Sequence, residues 1–170
     1  MRLLARVGGP HTVAAVVTAI TALYLLLVVF GNITDYGTNR AFVEHVFAMD
    51  TTFNSPNVMW RAITTPALVT IAYVLIIAWE AVTAIILTAA FVSWLRVMFS
   101  GRDATTARRL SSTGLVMQLL LFGGGFIVIG GEWFQMWQSK TWNGLQPALQ
   151  NFTIAGISLA LVYLTGREKA

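Results

Sequence analysis

Residues 66–95, PALVTIAYVLIIAWEAVTAIILTAAFVSWL, carry a single charge, Glu80, set almost at their centre. A helix of that length runs about 45 Å, against a bilayer hydrocarbon core of about 30 Å. The stretch therefore crosses lipid with length to spare, and Glu80 falls near the middle of the crossing. An ionisable group at that depth costs about 2.5–3.5 kcal/mol on the insertion scale unless it faces protein, water or a partner. The rest of the chain has to supply that shelter.

The remainder is of the same kind. Hydrophobic residues make up 56% of the 170 residues and charged residues 11%, with a mean hydropathy of +0.71. Apolar runs of this length mark membrane spans and override the soluble single-domain reading that 170 residues would otherwise invite. No cysteine is present, which removes disulfides, thiolate-ligated metals and cysteine nucleophiles. The net charge of +4 does not point to nucleic acid. The basic residues lie between apolar runs, where they set topology.

Residues 12–31, TVAAVVTAITALYLLLVVFG, have no charge. They are too long for a signal-peptide core and lack a small-residue cleavage site, so they read as a retained first span. In the connection that follows, AFVEHVFAM places Phe42, Val43, Val46, Phe47 and Met49 at helical spacing, which predicts a short amphipathic helix at the membrane interface. Ser55-Pro56 reads as the start of another short helix through Trp60-Arg61, and Thr65-Pro66 opens the second span. Asn32-Ile33-Thr34 has the form of a glycosylation sequon but abuts the first span, and nothing else suggests a eukaryotic secreted chain. Ser100-Gly101 predicts a helix end and Asp103 the next cap.

The third span, 111–131, is glycine-rich. Gly123 and Gly130, like Gly124 and Gly131, are seven apart and on an α-helix would share a face, expected against the second span. In the second connection, EWFQMWQSKTWNGLQ, Trp133 and Trp137 are four apart and would share a helical face at headgroup level. A fourth span runs over 147–165. The expectation is one all-α domain over residues 1–170: a four-transmembrane-helix bundle with short interfacial helices in its two longer connections.

Orientation follows from the basic residues. Arg2, Arg6, Arg96, Arg102, Arg108, Arg109, Arg167 and Lys169 belong to the termini and the 96–109 turn, whereas the longer connections hold Arg40, Arg61 and Lys140. The basic side stays cytoplasmic, so both termini are expected inside and both tryptophan-bearing connections outside.

The runs MDTTFNSPNVMWRAIT at 49–64 and GGEWFQMWQSKTWNG at 130–144, with IIAWE at 76–80, resemble the predicted small integral membrane proteins grouped as domain of unknown function 2165. The resemblance covers most of the chain. It implies a four-helix protein of the bacterial inner membrane and implies no activity.

Two groups of residues are candidates for chemistry. By depth, Tyr24 and Ser158 lie near Glu80, with Gln118 somewhat closer to the inside; such a cluster would suit a proton step, an ion site or a pocket for a lipid headgroup or quinone-like oxygen. The plainer role is structural, with Glu80 tying helices together through Thr83 or Tyr24. On the outer side, Glu44, His45, Asp50, Arg61, Glu132 and Lys140 would converge between connections walled by Trp60, Trp133 and Trp137. Their spacing matches no metal motif. Arg61 is expected to pair with Glu132 or Asp50 and clamp the connections, and His45 to serve as an interfacial histidine.

No cofactor is expected. A haem held by two histidines fails, because His11 and His45 fall on opposite membrane faces. Gly123-Gly124-Gly125 lies inside an apolar span without the strand or lysine of a phosphate loop. The leading reading is a non-catalytic accessory subunit that contacts the bilayer and docks a larger membrane complex or a second copy, or binds a small amphipathic ligand. A proton-linked carrier using Glu80 and an outer-face membrane enzyme are the alternatives.

Overall fold

The computed structural model describes residues 8–166; Arg2, Arg6, Arg167 and Lys169, which enter the orientation argument, lie outside the described residues. Helix α1, Pro10–Thr34, starts with proline in the first turn, where its missing N–H is no loss. It runs three residues past the expected end, so Asn32 is helical rather than part of a loop. Asp35 interrupts the backbone and α2, Tyr36–Ala48, follows at once. This is the expected amphipathic helix, and its buried residues are Val43 and Val46. It ends at Met49, which is fully buried in a left-handed conformation with φ 53°.

The chain then turns on Ser55, whose carbonyl accepts from the amides of Val58 and Met59, into a single 3-10 turn, Met59–Arg61. Helix α3, Pro66–Ser100, is 35 residues long and stops at Gly101, whose φ of 62° admits the left-handed cap. The N-cap of the next helix is Ala104 rather than the expected Asp103, whose carboxylate accepts the Thr105 amide at 2.9 Å from one residue further out. Helix α4, Thr105–Leu119, begins six residues before the expected third span.

From Leu120 to Trp133 the same rod continues as a π-helix, closed by the Phe134 amide on the Ile129 carbonyl at 3.0 Å. Where it widens, the Trp79 indole donates to the Met117 carbonyl at 2.9 Å, drawing on an acceptor of the α-helical ladder. The widening overturns the expected glycine face, because residues seven apart do not superpose on a helix of i→i+5 bonds. A Cβ at Gly123 would meet Phe152 and one at Gly131 would meet Leu145, both beside the fourth span, while one at Gly130 would touch Met136. The glycine that fits against the second span is Gly114, tight on Leu87. Trp133 and Trp137 do not share a helical face either. The π-helix ends at Trp133, and Gln135, at φ 56°, redirects the chain into a 3-10 turn, Met136–Gln138.

Helix α5, Leu145–Leu164, completes the fold, its first amide accepted by the Asn143 side chain at 3.1 Å. Among the described residues four helical rods are long and apolar enough to cross a membrane: Pro10–Thr34, Pro66–Ser100, Thr105–Trp133 and Leu145–Leu164. They pack in sequence, α1 on α3, α3 on α4, α4 on α5, and α5 back on α1. The result is a closed antiparallel bundle. Leu25, Ala84, Leu87, Trp94, Leu115 and Ala155 fill its axis. Large apolar side chains also cover the outside, among them Leu27, Phe30, Leu75 and Ile85, each about 60% exposed or more. That surface is compatible with lipid and far too extensive for water.

Candidate functional site

Glu80 is sheltered, at 3% exposure, but not by the neighbours expected of it. Thr83 donates to the Trp79 carbonyl of its own helix at 2.7 Å. The partner of Glu80 is Asn32, whose Nδ2 donates to Oε2 at 2.7 Å. Tyr73, two turns earlier on α3, donates its hydroxyl to the Asn32 backbone carbonyl at 3.0 Å. The last turn of α1 is thus bonded twice to α3, once through a side chain and once through its backbone.

These groups line a cavity of about 310 Å³ between α1, α2, α3, the π-helical segment and the start of α5. Its polar wall comprises Tyr24, Asn32, Asn39, Tyr73, Glu80 and Asn151. The cavity lies toward the end of the bundle that carries α2 and the two long connections, since Glu80 sits opposite the last turns of α1. Four of the polar groups, counting Asn143, are carboxamides. They donate and accept without carrying charge.

From this cavity a chain of polar contacts leads inward. Asn151 donates to the Tyr24 hydroxyl at 2.9 Å and to the Pro147 carbonyl at 2.9 Å, and Gln118 donates to Asn151 Oδ1 at 3.3 Å. Gln118 is 1% exposed, and its Oε1 has no partner. Two turns further along α4, Ser111 meets Thr18 at 3.2 Å and accepts the Trp94 indole at 2.9 Å. Of the four expected intramembrane residues, Tyr24 and Glu80 share the cavity, and Gln118 stands behind it through Asn151. Ser158 is buried two turns beyond Asn151 and is not part of the cavity wall.

An apolar chamber of about 260 Å³ adjoins the polar one. Phe42, Val43, Ile76 and Phe126 line both. Beyond them the chamber is walled by Ala72, Leu75, Leu121, Ile129 and Met136 among others. Leu75 and Ile129 are more than half exposed, so its mouth is on the lipid-facing side between α3 and the π-helix. The π-helical widening helps make this room, with Gly125 and Gly130 on its inner wall.

The two connections form one cap. Phe47 stacks on Phe134 with centroids 4.7 Å apart, Trp60 meets Trp133 edge-on at 5.6 Å, and Phe53 meets Trp137 at 5.9 Å. Thr51 and Ser139 hydroxyls are 2.8 Å apart, and the Phe53 amide donates to Gln138 at 2.8 Å. Gly144 lies where a Cβ would be 2.8 Å from the Phe42 ring, which brings the second connection onto the cavity wall.

Arg61 does clamp the connections, though not through an acid. Its guanidinium lies 5.5 Å from the Trp60 ring and 4.9 Å from that of Trp133, and donates to the Trp133 carbonyl at 3.4 Å. Asp50 is taken by His45, Nδ1 to Oδ2 at 2.7 Å, and the His45 ring stacks on Trp142 at 4.5 Å. Glu44 pairs with Arg40 at 2.8 Å. Glu132 is exposed in a shallow pocket with Arg61 and Trp133, and His45 is not among its walls. Lys140 is exposed. Among the described residues no three His, Cys, Asp or Glu side chains come together as a metal-binding group.

Sequence reasoning passed over Asn32, Asn39, Tyr73, Asn143 and Asn151. Asn151 gave a usable signal, a carboxamide inside a span, which in lipid has to find a partner. Asn32 gives none, because the charge-free run ends at Gly31 and a polar residue just after it reads as loop, whereas the helix continues to Thr34. A family model described as "predicted small integral membrane protein (DUF2165)" matches residues 11–165. No curated protein and no solved structure matches the chain.

Proposed function

We propose that this chain, which belongs to the family of predicted small integral membrane proteins DUF2165, is a non-catalytic membrane subunit that receives a small uncharged amphipathic molecule from the lipid phase. The observation that carries this reading is the pairing of two unlike chambers across Phe42, Val43, Ile76 and Phe126. One is rich in carboxamides and hydroxyls around Glu80; the other is apolar and opens between α3 and the π-helix. A hydrogen-bonding head enters the first and a short hydrocarbon segment the second, an arrangement typical of small-molecule sites. A quinone ring or the glycerol end of a neutral lipid has the required size and chemistry.

The basic 96–109 turn supports placing the cap on the outer side of a bacterial inner membrane. The aromatic cap also supports a docking role toward a larger complex, where exposed Trp60, Trp133 and Trp137 would provide the contact.

The test is extraction and mass analysis of small molecules retained by protein purified in a mild detergent. The expected result is one class of neutral amphiphile, retained by the wild type and lost from Asn151→Leu and Glu80→Leu variants that still run as folded protein. Retention of nothing, or equal retention by all three, overturns the reading.

A proton-linked conduit using Glu80 is the second reading, and the place of that carboxyl in the wall of the polar cavity beside Tyr24 favours it. In proteoliposomes it predicts a pH-gradient-dependent flux that Glu80→Gln abolishes; wild-type flux in that variant excludes it.

A further inference from the structure

At the opposite end of the bundle, away from the two chambers, the outer surface between α4 and α5 carries a pocket and a groove that the reading above does not use. We infer that together they bind an anionic phospholipid, with the phosphate at Arg108 and Arg109 and one acyl chain lying over Gly124.

The pocket, of about 530 Å³, is lined by Thr105, Arg108, Arg109, Ser112, Thr113 and Tyr163, with Val162 and Gly166 completing it. Two guanidiniums and four hydroxyls line it, and among the described residues no carboxylate belongs to its wall. The Arg108 guanidinium is seated against the end of α5, where a Cβ on Gly166 would come within 2.6 Å of Nη1. Paired guanidiniums grip a phosphate through charge-assisted forked bonds. A basic pocket between helices at the membrane surface suits an anionic headgroup. Among the described residues of its wall the charges are two positive ones, which favours an anionic headgroup over a zwitterionic one.

One turn from Thr113 along α4 the surface changes character. Val116, Leu120, Gly124, Val128, Leu149 and Phe152 line a groove of about 470 Å³ without a polar side chain. From Val116 to Val128 it runs somewhat less than the roughly 18 Å of an α-helix of that length, because the π-helical turns rise less per residue, and so is comparable to the depth of one leaflet, half of a core of about 30 Å. A free phosphate would use only the arginines, whereas a phospholipid uses both parts, and the groove lies where its chain must go.

Gly124 provides the discriminating substitution. A Cβ added there meets nothing within 4 Å, whereas one at Gly123 would be 2.9 Å from Phe152. A leucine at 124 therefore fills the groove rather than disturbing the fold.

The experiment is native mass spectrometry and thermal melting of delipidated full-length protein titrated with phosphatidylglycerol, phosphatidylcholine or inorganic phosphate. Phosphatidylglycerol is expected to bind and raise Tm, phosphatidylcholine to bind at least about tenfold more weakly, and phosphate alone to leave Tm unchanged. R108Q/R109Q removes the preference between the two lipids. Gly124→Leu weakens phosphatidylglycerol binding while its lipid-free Tm stays that of the wild type, and Glu80→Gln, in the other chamber, leaves binding unchanged. Equal binding of both lipids by the wild type, stabilisation by phosphate as large as by phosphatidylglycerol, or unaltered binding in Gly124→Leu overturns the assignment.

Discussion

Asn32 and Glu80 meet through one hydrogen bond of 2.7 Å between the last turn of α1 and the middle of α3. The acid at the centre of the longest apolar span is thereby matched to a carboxamide 48 residues away. Tyr73 holds the carbonyl of the same asparagine, so the amide is fixed from behind while it faces the carboxyl.

Removing one partner of this pair should cost more than removing both. Asn32→Leu leaves a buried carboxyl without its donor and is expected to destabilise by about 1–3 kcal/mol. The Asn32→Leu/Glu80→Leu double variant should recover part of that loss, giving a coupling of about 0.5–3 kcal/mol in a double-mutant cycle. Melting in a fixed detergent measures it, and additive single effects would contradict the pairing.

Gly114 and Gly124 should answer the same substitution differently. A Cβ at Gly114 would sit 2.6 Å from Leu87 Cγ and Cδ2, and Leu87 is fully buried. Gly114→Ala is therefore expected to cost about 1–3 kcal/mol through overpacking. Gly124→Ala enters open space and should leave Tm within a degree or so of the wild type, by the same melting assay.

Arg61 should be replaceable by neither alanine nor lysine. Its planar guanidinium faces two indole rings and reaches a carbonyl, which an ammonium cannot reproduce. Arg61→Ala is expected to lose about 1–2 kcal/mol of local cation–π stabilisation. Faster amide exchange over residues 53–64, with the spans unchanged, would register it.

Filling the apolar chamber should separate the two proposed ligands. Ala72 lines that chamber and not the polar one. Ala72→Phe is expected to reduce the retained neutral amphiphile by about tenfold or more, while phosphatidylglycerol binding at the arginine pocket is unaltered. Loss of both together would point to general unfolding, which melting would reveal.

Four crossings were readable because each apolar run exceeds the length that lipid demands and because Pro10, Pro66 and Gly101 punctuate them. The amphipathic α2 was readable from the spacing of Val43 and Val46. The π-helix was not. In a segment as uniformly apolar as LLFGGGFIVIGG no polar face exists whose period could report the wider turn. With the turn unread, the glycine contacts came out against the wrong neighbour. Glu80 was legible as a residue needing shelter, since its charge stands alone in an apolar run, but its partner was not. A polar residue after Gly31 reads as loop, and only the packed helix reveals Asn32 as its last inward-facing group. Arg61 over Trp133 and His45 stacked on Trp142 show the same limit, because which ring each side chain meets depends on how two distant connections fold over one another.

The cap joins segments that belong to different helical hairpins, with Phe47, Thr51, Phe53 and Trp60 from the first meeting Phe134, Ser139, Trp137 and Trp133 from the second. Neither half can complete that seam alone. Its stacked and edge-on rings become available only after both pairs of rods have entered the bilayer. The seam thus fastens two otherwise separate hairpins to one another at a single end of the bundle.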